Sequence, residues 1–455
     1  MMNIESSDVS LKRRVLGASS WSLAGFGLSY VIRLGSSLLM TRLLVPQMFG
    51  VMAIAMMVMT GLTMFSDVGL SQNIIQSKRG ADPAYLNTAW TIQILRGLIL
   101  WLLAIFISLL VFVANHAGIV PKASAYADPS LPFAISIVSI SAVIAGFQST
   151  KVSEASRRLS LGRITQIQIV AQVVGLICMI IWALFDRSIW ALMAGSICST
   201  SATTLLSHLW LQGVANRWQW DQSAFYEIIH FGKWIFLSSI LGFLVNNADR
   251  ILLGGLIDSA MLGIYVIAFN IFSAILGVLY KIIGDVSFSA FSEVARDRPH
   301  HLKQNYYKMH IAIGSFAYFC SGILMLSGHD LISVLYDRRY EQAGWILDVL
   351  AVALLPIPFG LVGYCLLALG LPKLFTRLTA IAAVGTIVFI LLGFHFFGTP
   401  GAIWGIAASY FAGLPAIVYY QTKYRLFELS KELLLLPSLC IGMILGKGIS
   451  YLFGH

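Results

Sequence analysis

Charge is scarce in this chain. Only 11% of its 455 residues are Asp, Glu, Lys or Arg, while 58% are hydrophobic. A water-soluble domain of that length cannot bury so much apolar surface in one core. Cysteine is also sparse. Cys178, Cys198, Cys320, Cys365 and Cys440 form no C-x-x-C, and each falls inside a long apolar run. They read as small hydrophobes in packed helices, not as a disulfide framework or a metal site. No HExxH, P-loop or GxSxG is present. Without a D-x-D, a metal-dependent glycosyltransferase has no visible site. No ten-residue alternation suggests a membrane β-barrel.

What the chain has in abundance is long apolar segments. Thirteen lie at about 15–40, 47–66, 86–113, 131–150, 164–185, 188–210, 232–256, 261–289, 309–328, 345–369, 374–397, 401–420 and 433–453. About 20 helical residues cross the roughly 30 Å of hydrocarbon, so each is long enough to span a bilayer. The first is too long for the core of a cleaved signal peptide and lacks a small-x-small site, so it reads as a span. The mean hydropathy of +0.82 agrees.

Lys and Arg set the orientation. With the N-terminus in the cytoplasm, inside loops hold twenty of the thirty, from Lys12, Arg13 and Arg14 to Lys431. Outside loops hold five: Arg42, Lys122, Arg187, Arg338 and Arg339. This is the positive-inside pattern. It also accounts for the net charge of +10 without nucleic acid, since the charge faces anionic lipid.

The chain repeats itself. At a shift of 213, Leu43-Leu44, Met48-Phe49-Gly50-Val51 and Ile54-Ala55 fall on Leu256-Ile257, Met261-Leu262-Gly263-Ile264 and Ile267-Ala268. At 218, Asp67-Val68-Gly69-Leu70-Ser71 falls on Asp285-Val286-Ser287-Phe288-Ser289. Six helices per half is even, so the halves point the same way. The expected organisation is an N-lobe at 1–212, a cytoplasmic connector at 213–231, a C-lobe at 232–421, and a basic segment with an extra helix at 422–455.

The segment LVPQMFGVMAIAMMVMTGLTMFSDVGLSQNIIQ at 44–76, the stretch DRILLGGLIDSAMLGIY at 249–265 and the basic loop SEASRRLSLGRI at 153–164 carry a family resemblance. They resemble the polysaccharide-transport, Wzx-like flippases of the multidrug/oligosaccharidyl-lipid/polysaccharide exporter superfamily. The resemblance implies an all-α polytopic membrane protein with two six-helix lobes around a central cavity. It implies alternating access and a polyprenyl-pyrophosphate-linked oligosaccharide as cargo. A bacterial cytoplasmic membrane and no enzymatic activity follow, with the polymerase and chain-length proteins of a polysaccharide pathway as partners. No cofactor or metal is expected; a coupling ion, H+ or Na+, is the small-ion expectation.

An ionisable group inside a span normally faces a cavity or a partner. Arg33, Arg96 and Arg250 sit within helices and suit a pyrophosphate, because guanidinium is bidentate and stays charged. Snorkelling to an interface is the competing reading for Arg33 and Arg250. Lys281 is a further cation, but it can pair with Asp285 four residues on. Asn246 shares a helix face with Asp249 and Arg250, and with Asn247 it makes a polar stripe suited to sugar hydroxyls or helix–helix bonding. Asp249 is the acidic residue deepest in a helix and the candidate for sensing a coupling ion, against a bracing role. Asp67 and Asp285 close the second and eighth helices as turn caps, or as a gate. Tyr265, with Trp101, Trp190 and Trp234, reads as an interface anchor or packing.

Two other functions compete. A multidrug or cation antiporter of the same superfamily calls for acidic residues in the cavity. A membrane-embedded polysaccharide polymerase or ligase calls for a long outer loop with charged catalytic residues, and the longest, at about 114–130, holds only His116, Lys122 and Asp128.

Overall fold

The computed structural model describes residues 24–158 and 160–453; within them the side chains of 231–238, 240, 241, 245, 285, 286, 289, 297, 299 and 453 are outside the description. The basic residues Lys12, Arg13 and Arg14 and the start of the first apolar segment therefore lie outside the described residues, as do the side chains of Trp234 and Asp285. All regular elements among the described residues are helical. Hydrocarbon offers backbone N–H and C=O groups no partner, so these apolar runs close their hydrogen bonds internally.

The chain divides into two compact units, Met1–Phe243 and Leu244–His455. The first contains α1 (24–43), α2 (Pro46–Phe65), α3 (Leu70–Gln76), α4 (Pro83–His116), α5 (Leu131–Val138), α6 (Ile140–Gly146), α7 (Lys151–Arg157), α8 (Leu161–Phe185) and α9 (Trp190–Leu209). Helix α10 (Gln222–Leu256) crosses the boundary. The second holds α11 (Ser259–Lys281), a π-helical turn at Ile282–Ser287, α12 (Phe288–Asp297), α13 (Leu302–Leu335), α14 (Ala343–Val352), α15 (Leu361–Ala368), α16 (Pro372–Ser409), α17 (Leu414–Lys423), α18 (Leu429–Glu432) and α19 (Leu436–Phe453).

Local chemistry starts the helices. Pro46, Pro83 and Pro372 open α2, α4 and α16, where a missing N–H costs nothing. Asp82 and Asp258 cap α4 and α11 by accepting the N–H of Ala84 and Met261. Helices α2 and α11 start 213 residues apart, which is the offset of the sequence repeat.

Among the described residues, seven helices are long and apolar enough to cross a membrane, and up to nine if each of two bent pairs counts as one span. The bent pairs are Leu131–Gly146 with Lys151–Arg157, and Ala343–Val352 with Ile357–Ala368. One of the seven, Pro372–Lys423, reverses direction at Gly398, whose φ of 62° suits glycine. Gly393 lies against Gly401, and Gly405 against Phe389, so the two legs run antiparallel. The thirteen expected spans exceed these seven to nine among the described residues; 24–43, α9 and α10 are helical but are not among the seven. The chain is a multi-pass membrane protein.

Small residues set the helix contacts within each unit. A side chain on Gly97 would meet the Ala142 carbonyl at 2.6 Å, so α4 and α6 touch through backbone. Gly175 and Gly195 do the same for the α8–α9 hairpin. In the second unit Gly322 sits against Met443, and Gly446 against Ile323, which makes α13 and α19 parallel neighbours. Lipid tails are as apolar as leucine, so close backbone approach, not water exclusion, holds such helices together.

The segment between α9 and α10 is seated on the first unit by side chains. Buried Glu154 accepts the N–H of Val214 (3.1 Å), and Asn216 is held by Ser149 and Thr150 (2.6 Å each). Asn87 accepts the N–H of Arg217 (3.0 Å) and donates to Gln219 (2.9 Å). The segment ends at Asp221, which meets Arg79 at 2.9 Å. Hydrogen bonds from Ser223, and then from Arg79, hold the Asp221 carboxyl well below the usual carboxylate range. A depressed carboxylate contributes stability above its unfolded pKa, and that stability fades as pH falls below it. Amide exchange of 212–223, corrected for intrinsic rate, is expected to stay slow at pH 5 and to quicken only below about pH 4, the unperturbed Asp value. Asp221→Asn should quicken it at neutral pH. Fast exchange in the unaltered protein at pH 5, or none in Asp221→Asn, contradicts this seating.

Candidate functional site

Each unit contains a polar cavity among the described residues. In the second unit, a cavity of about 270 Å³ is lined by Asn246, Asp249, Tyr280, Thr386, Ser409 and Tyr410 among apolar neighbours. Helix α10 supplies the first two from one face, as their spacing of three residues requires. Asp249 is buried, and the Tyr265 hydroxyl on α11 donates a hydrogen bond to its Oδ2. Tyr265 is fully buried, so it positions a carboxylate and anchors no interface. A phenol placed this way holds Asp249 facing the cavity.

Arg250 follows Asp249 and points about 100° away around the helix. Its guanidinium carbon lies 4.9 Å from the centre of the Phe269 ring, a cation–π contact. Its Nε is buried without a hydrogen-bond partner. Phe269 also lines the cavity, so the arginine stands behind the wall. Asn247 is buried beside the same stripe. Lys281 closes α11 and is half-buried, away from the cavity lining. Asp285 lies in the π-helical turn that follows.

In the first unit, a cavity of about 330 Å³ is lined by Thr63, Asp67, Gln72, Gln93, Arg96 and Gln148 together with smaller residues. The structure thus brings Arg96 and Asp67 together. Arg96 donates from Nε to Ser66 Oγ (2.9 Å) and from Nη2 to the Thr63 carbonyl (2.6 Å). Its Nη1 stands 3.9 Å from Asp67. Asp67 also accepts the N–H of Gly69 (2.9 Å), which has a φ of 62° and opens α3. One guanidinium therefore satisfies the last turn of α2 and faces the carboxylate of the turn beyond it. Gln93 donates to the carbonyls of Ala145, Gly146 and Gln148 across the cavity. Arg33 is elsewhere, exposed on α1 with its guanidinium 5.3 Å from the Tyr30 ring centre.

Sequence reasoning found the α10 stripe, but not its partners. Tyr265, Thr386, Ser409 and Tyr410 come from other helices, and an isolated Tyr or Ser in an apolar run carries no signal of what it faces. It also missed a buried ionisable pair, His310 Nε2 against Glu432 Oε2 at 2.8 Å, which ties α18 to α13.

A family described as "Polysaccharide biosynthesis protein" matches residues 39–345. The chain is 21% identical to the lipopolysaccharide biosynthesis protein WzxC of Escherichia coli strain K12, over 96% of this chain and 89% of that one. It is 20% identical to an uncharacterized membrane protein in the cps region of Klebsiella pneumoniae, over 76% and 69%. Among solved structures, lipid II flippase MurJ in an inward closed conformation aligns with a TM-score of 0.62 and 14% identity, covering 100% of this chain and 93% of that one. A multidrug resistance MATE family transporter of the MOP superfamily, inward-facing, aligns with a TM-score of 0.59 and 16% identity, covering 90% and 95%. The fold is the one these transporters share.

The two roles open to Arg96 differ in outcome. Lysine is a point charge and cannot serve Ser66, Thr63 and Asp67 together. If Arg96 braces α2, Arg96→Lys lowers stability by about 1–3 kcal/mol, the worth of one or two charge-assisted hydrogen bonds. That is read as a lower unfolding midpoint of the purified protein. An unchanged midpoint with lost transport would make Arg96 a cargo contact instead.

Proposed function

The chain belongs to the polysaccharide biosynthesis protein family, and on that premise we propose that it flips a polyprenyl-pyrophosphate-linked oligosaccharide across the bacterial cytoplasmic membrane. The cargo serves exopolysaccharide, capsule or O-antigen synthesis. The protein exposes its cargo site first to one leaflet and then to the other. Its N-terminus is cytoplasmic, and the polymerase and chain-length proteins of the pathway are its partners. The reading rests on family membership in a chain whose fold is shared with transporters. Its work is transport and not bond chemistry.

The residue roles follow from chemistry. Moving an anionic pyrophosphate through hydrocarbon needs fixed cations, because a bare charge there costs several kcal/mol. Arg33, exposed on α1, and Arg250, behind the Phe269 wall of the second unit's cavity, are two of them. Arg96 completes the set from the cavity it shares with Asp67, and Lys281 adds positive charge at the end of α11. Asn246 and Asn247 offer amide donors and acceptors to sugar hydroxyls. Asp249 senses the coupling ion, H+ or Na+, from the wall of the second unit's cavity. Asp67 and Asp285 occupy repeat-equivalent turns and gate the cytoplasmic side. The antiporter reading draws on the same fold and on Asp249, but it leaves the arginines without a use.

Cells whose polymer export depends on this chain test the assignment. Arg33→Ala and Arg250→Ala should each reduce export about tenfold, the equivalent of one lost contact of about 1.4 kcal/mol, with the protein still inserted. Asp249→Asn keeps the shape of the site and cannot change charge, so residual export should no longer respond to collapse of the proton or sodium gradient. Full export from the double arginine variant contradicts the cargo role. Unchanged gradient dependence in Asp249→Asn leaves Asp249 as a brace.

A further inference from the structure

Two cysteines that look unrelated in the sequence meet in the fold. Cys178 on α8 and Cys198 on α9 place their sulfur atoms 2.8 Å apart. Both are free thiols and both are half-buried. The closeness has an independent structural cause. One turn away on each helix, Gly175 and Gly195 let the backbones touch: a side chain on Gly175 would stand 2.7 Å from the Gly195 carbonyl and 2.8 Å from Ser199. The hairpin is therefore drawn tight at the level of the two thiols.

The surroundings say which oxidant reaches them. Cys178 borders a groove of about 590 Å³ lined by Val174, Ile177, Ile181, Trp182 and Phe185, with Asp186 at its end. Ile177, Ile181, Trp182 and Phe185 are exposed large hydrophobics on a membrane-spanning helix. Cys178 lies seven residues before the end of α8, and Cys198 eight after the start of α9. At 1.5 Å per residue that is roughly 10–12 Å from the connecting turn, which puts Cys178 well inside a membrane-spanning helix. A water-borne disulfide has no route to that depth, whereas a lipid-soluble, planar oxidant does.

We propose that Cys178 and Cys198 form a redox modification site, oxidised to a disulfide by a membrane quinone that reaches Cys178 through this groove. Two S–H bonds break and one S–S bond forms. The two electrons and two protons pass to the quinone, which leaves as the hydroquinone. The product staples α8 to α9 where the glycines already press them together. The sulfurs have to close only from 2.8 Å to the roughly 2.05 Å of an S–S bond, and the loop closed is short.

The test uses the full chain in proteoliposomes. Vesicles are incubated with a short-tail ubiquinone, with oxidised glutathione, or with neither. They are then dissolved in denaturant, alkylated without reductant, digested and read by mass spectrometry. The expected result is a linked Cys178–Cys198 peptide that rises with ubiquinone and outpaces the glutathione arm. Cys320, Cys365 and Cys440 should stay alkylated as internal references. Cys198→Ser should abolish the linked peptide and leave Cys178 alkylated. Complete alkylation of both thiols with ubiquinone overturns the site. A quinone adduct on Cys178 in place of the link, or faster linkage by glutathione, overturns the proposed reaction and route.

Discussion

Hydrocarbon gives apolar side chains nothing to escape from. Helices inside a bilayer therefore gain little from burying leucine against leucine, and they assemble where backbones come close or polar groups find each other. That constraint organises both units of this protein. Glycines at 97 and 146, at 175 and 195, and at 393 and 401 mark the contacts that set neighbouring helices. Many large apolar residues point outward, such as Leu102, Phe106 and Leu109 on α4. A soluble protein exposes far fewer of them in contiguous bands.

The same constraint explains why the polar residues are informative. Among the described residues, the polar ones that line the two cavities are held by bonds or face open space. Arg96 is spent on the end of α2 and the Asp67 turn. Asp249 is held by Tyr265 and looks into a cavity of its own unit. Arg250 lies against Phe269 with a buried, unpartnered Nε, an arrangement that an anion would relieve. The two units thus hold different kinds of polar site. The first pairs a cation with an anion and is internally balanced; the second presents a carboxylate and hydroxyls to open space.

Much of this was legible in the sequence, for physical reasons. Span positions follow from apolar runs long enough for a bilayer, and the reversal at Gly398 falls between the expected segments 374–397 and 401–420. The equal start of α2 and α11 is written in the Met-x-Gly pattern after each turn. The stripe at 246–250 shows itself because helical spacing puts Asn246 and Asp249 on one face. Contacts between helices are another matter. Asp249 and Tyr265 are separated by a turn, Asp67 and Arg96 by a whole helix and a loop, and Cys178 and Cys198 by a hairpin. Nothing in a single chain's spacing records which faces will touch. Likewise, Glu154 reads as one member of a basic loop, while in the fold it is buried and holds the Val214 amide.

The central claim is that this chain moves a lipid-linked oligosaccharide from one leaflet to the other. Purified protein in proteoliposomes tests it directly. A polyprenyl-pyrophosphate-linked oligosaccharide with a labelled sugar is placed in the vesicles, and a membrane-impermeant glycosidase reports how much of it faces outward over time. The account predicts that the protected inner pool becomes accessible at a rate that rises with protein per vesicle, with sugar and polyprenol still joined where no glycosidase is added. An inner pool that stays protected as in empty vesicles, or labelled sugar released from its lipid in vesicles given no glycosidase, would contradict it.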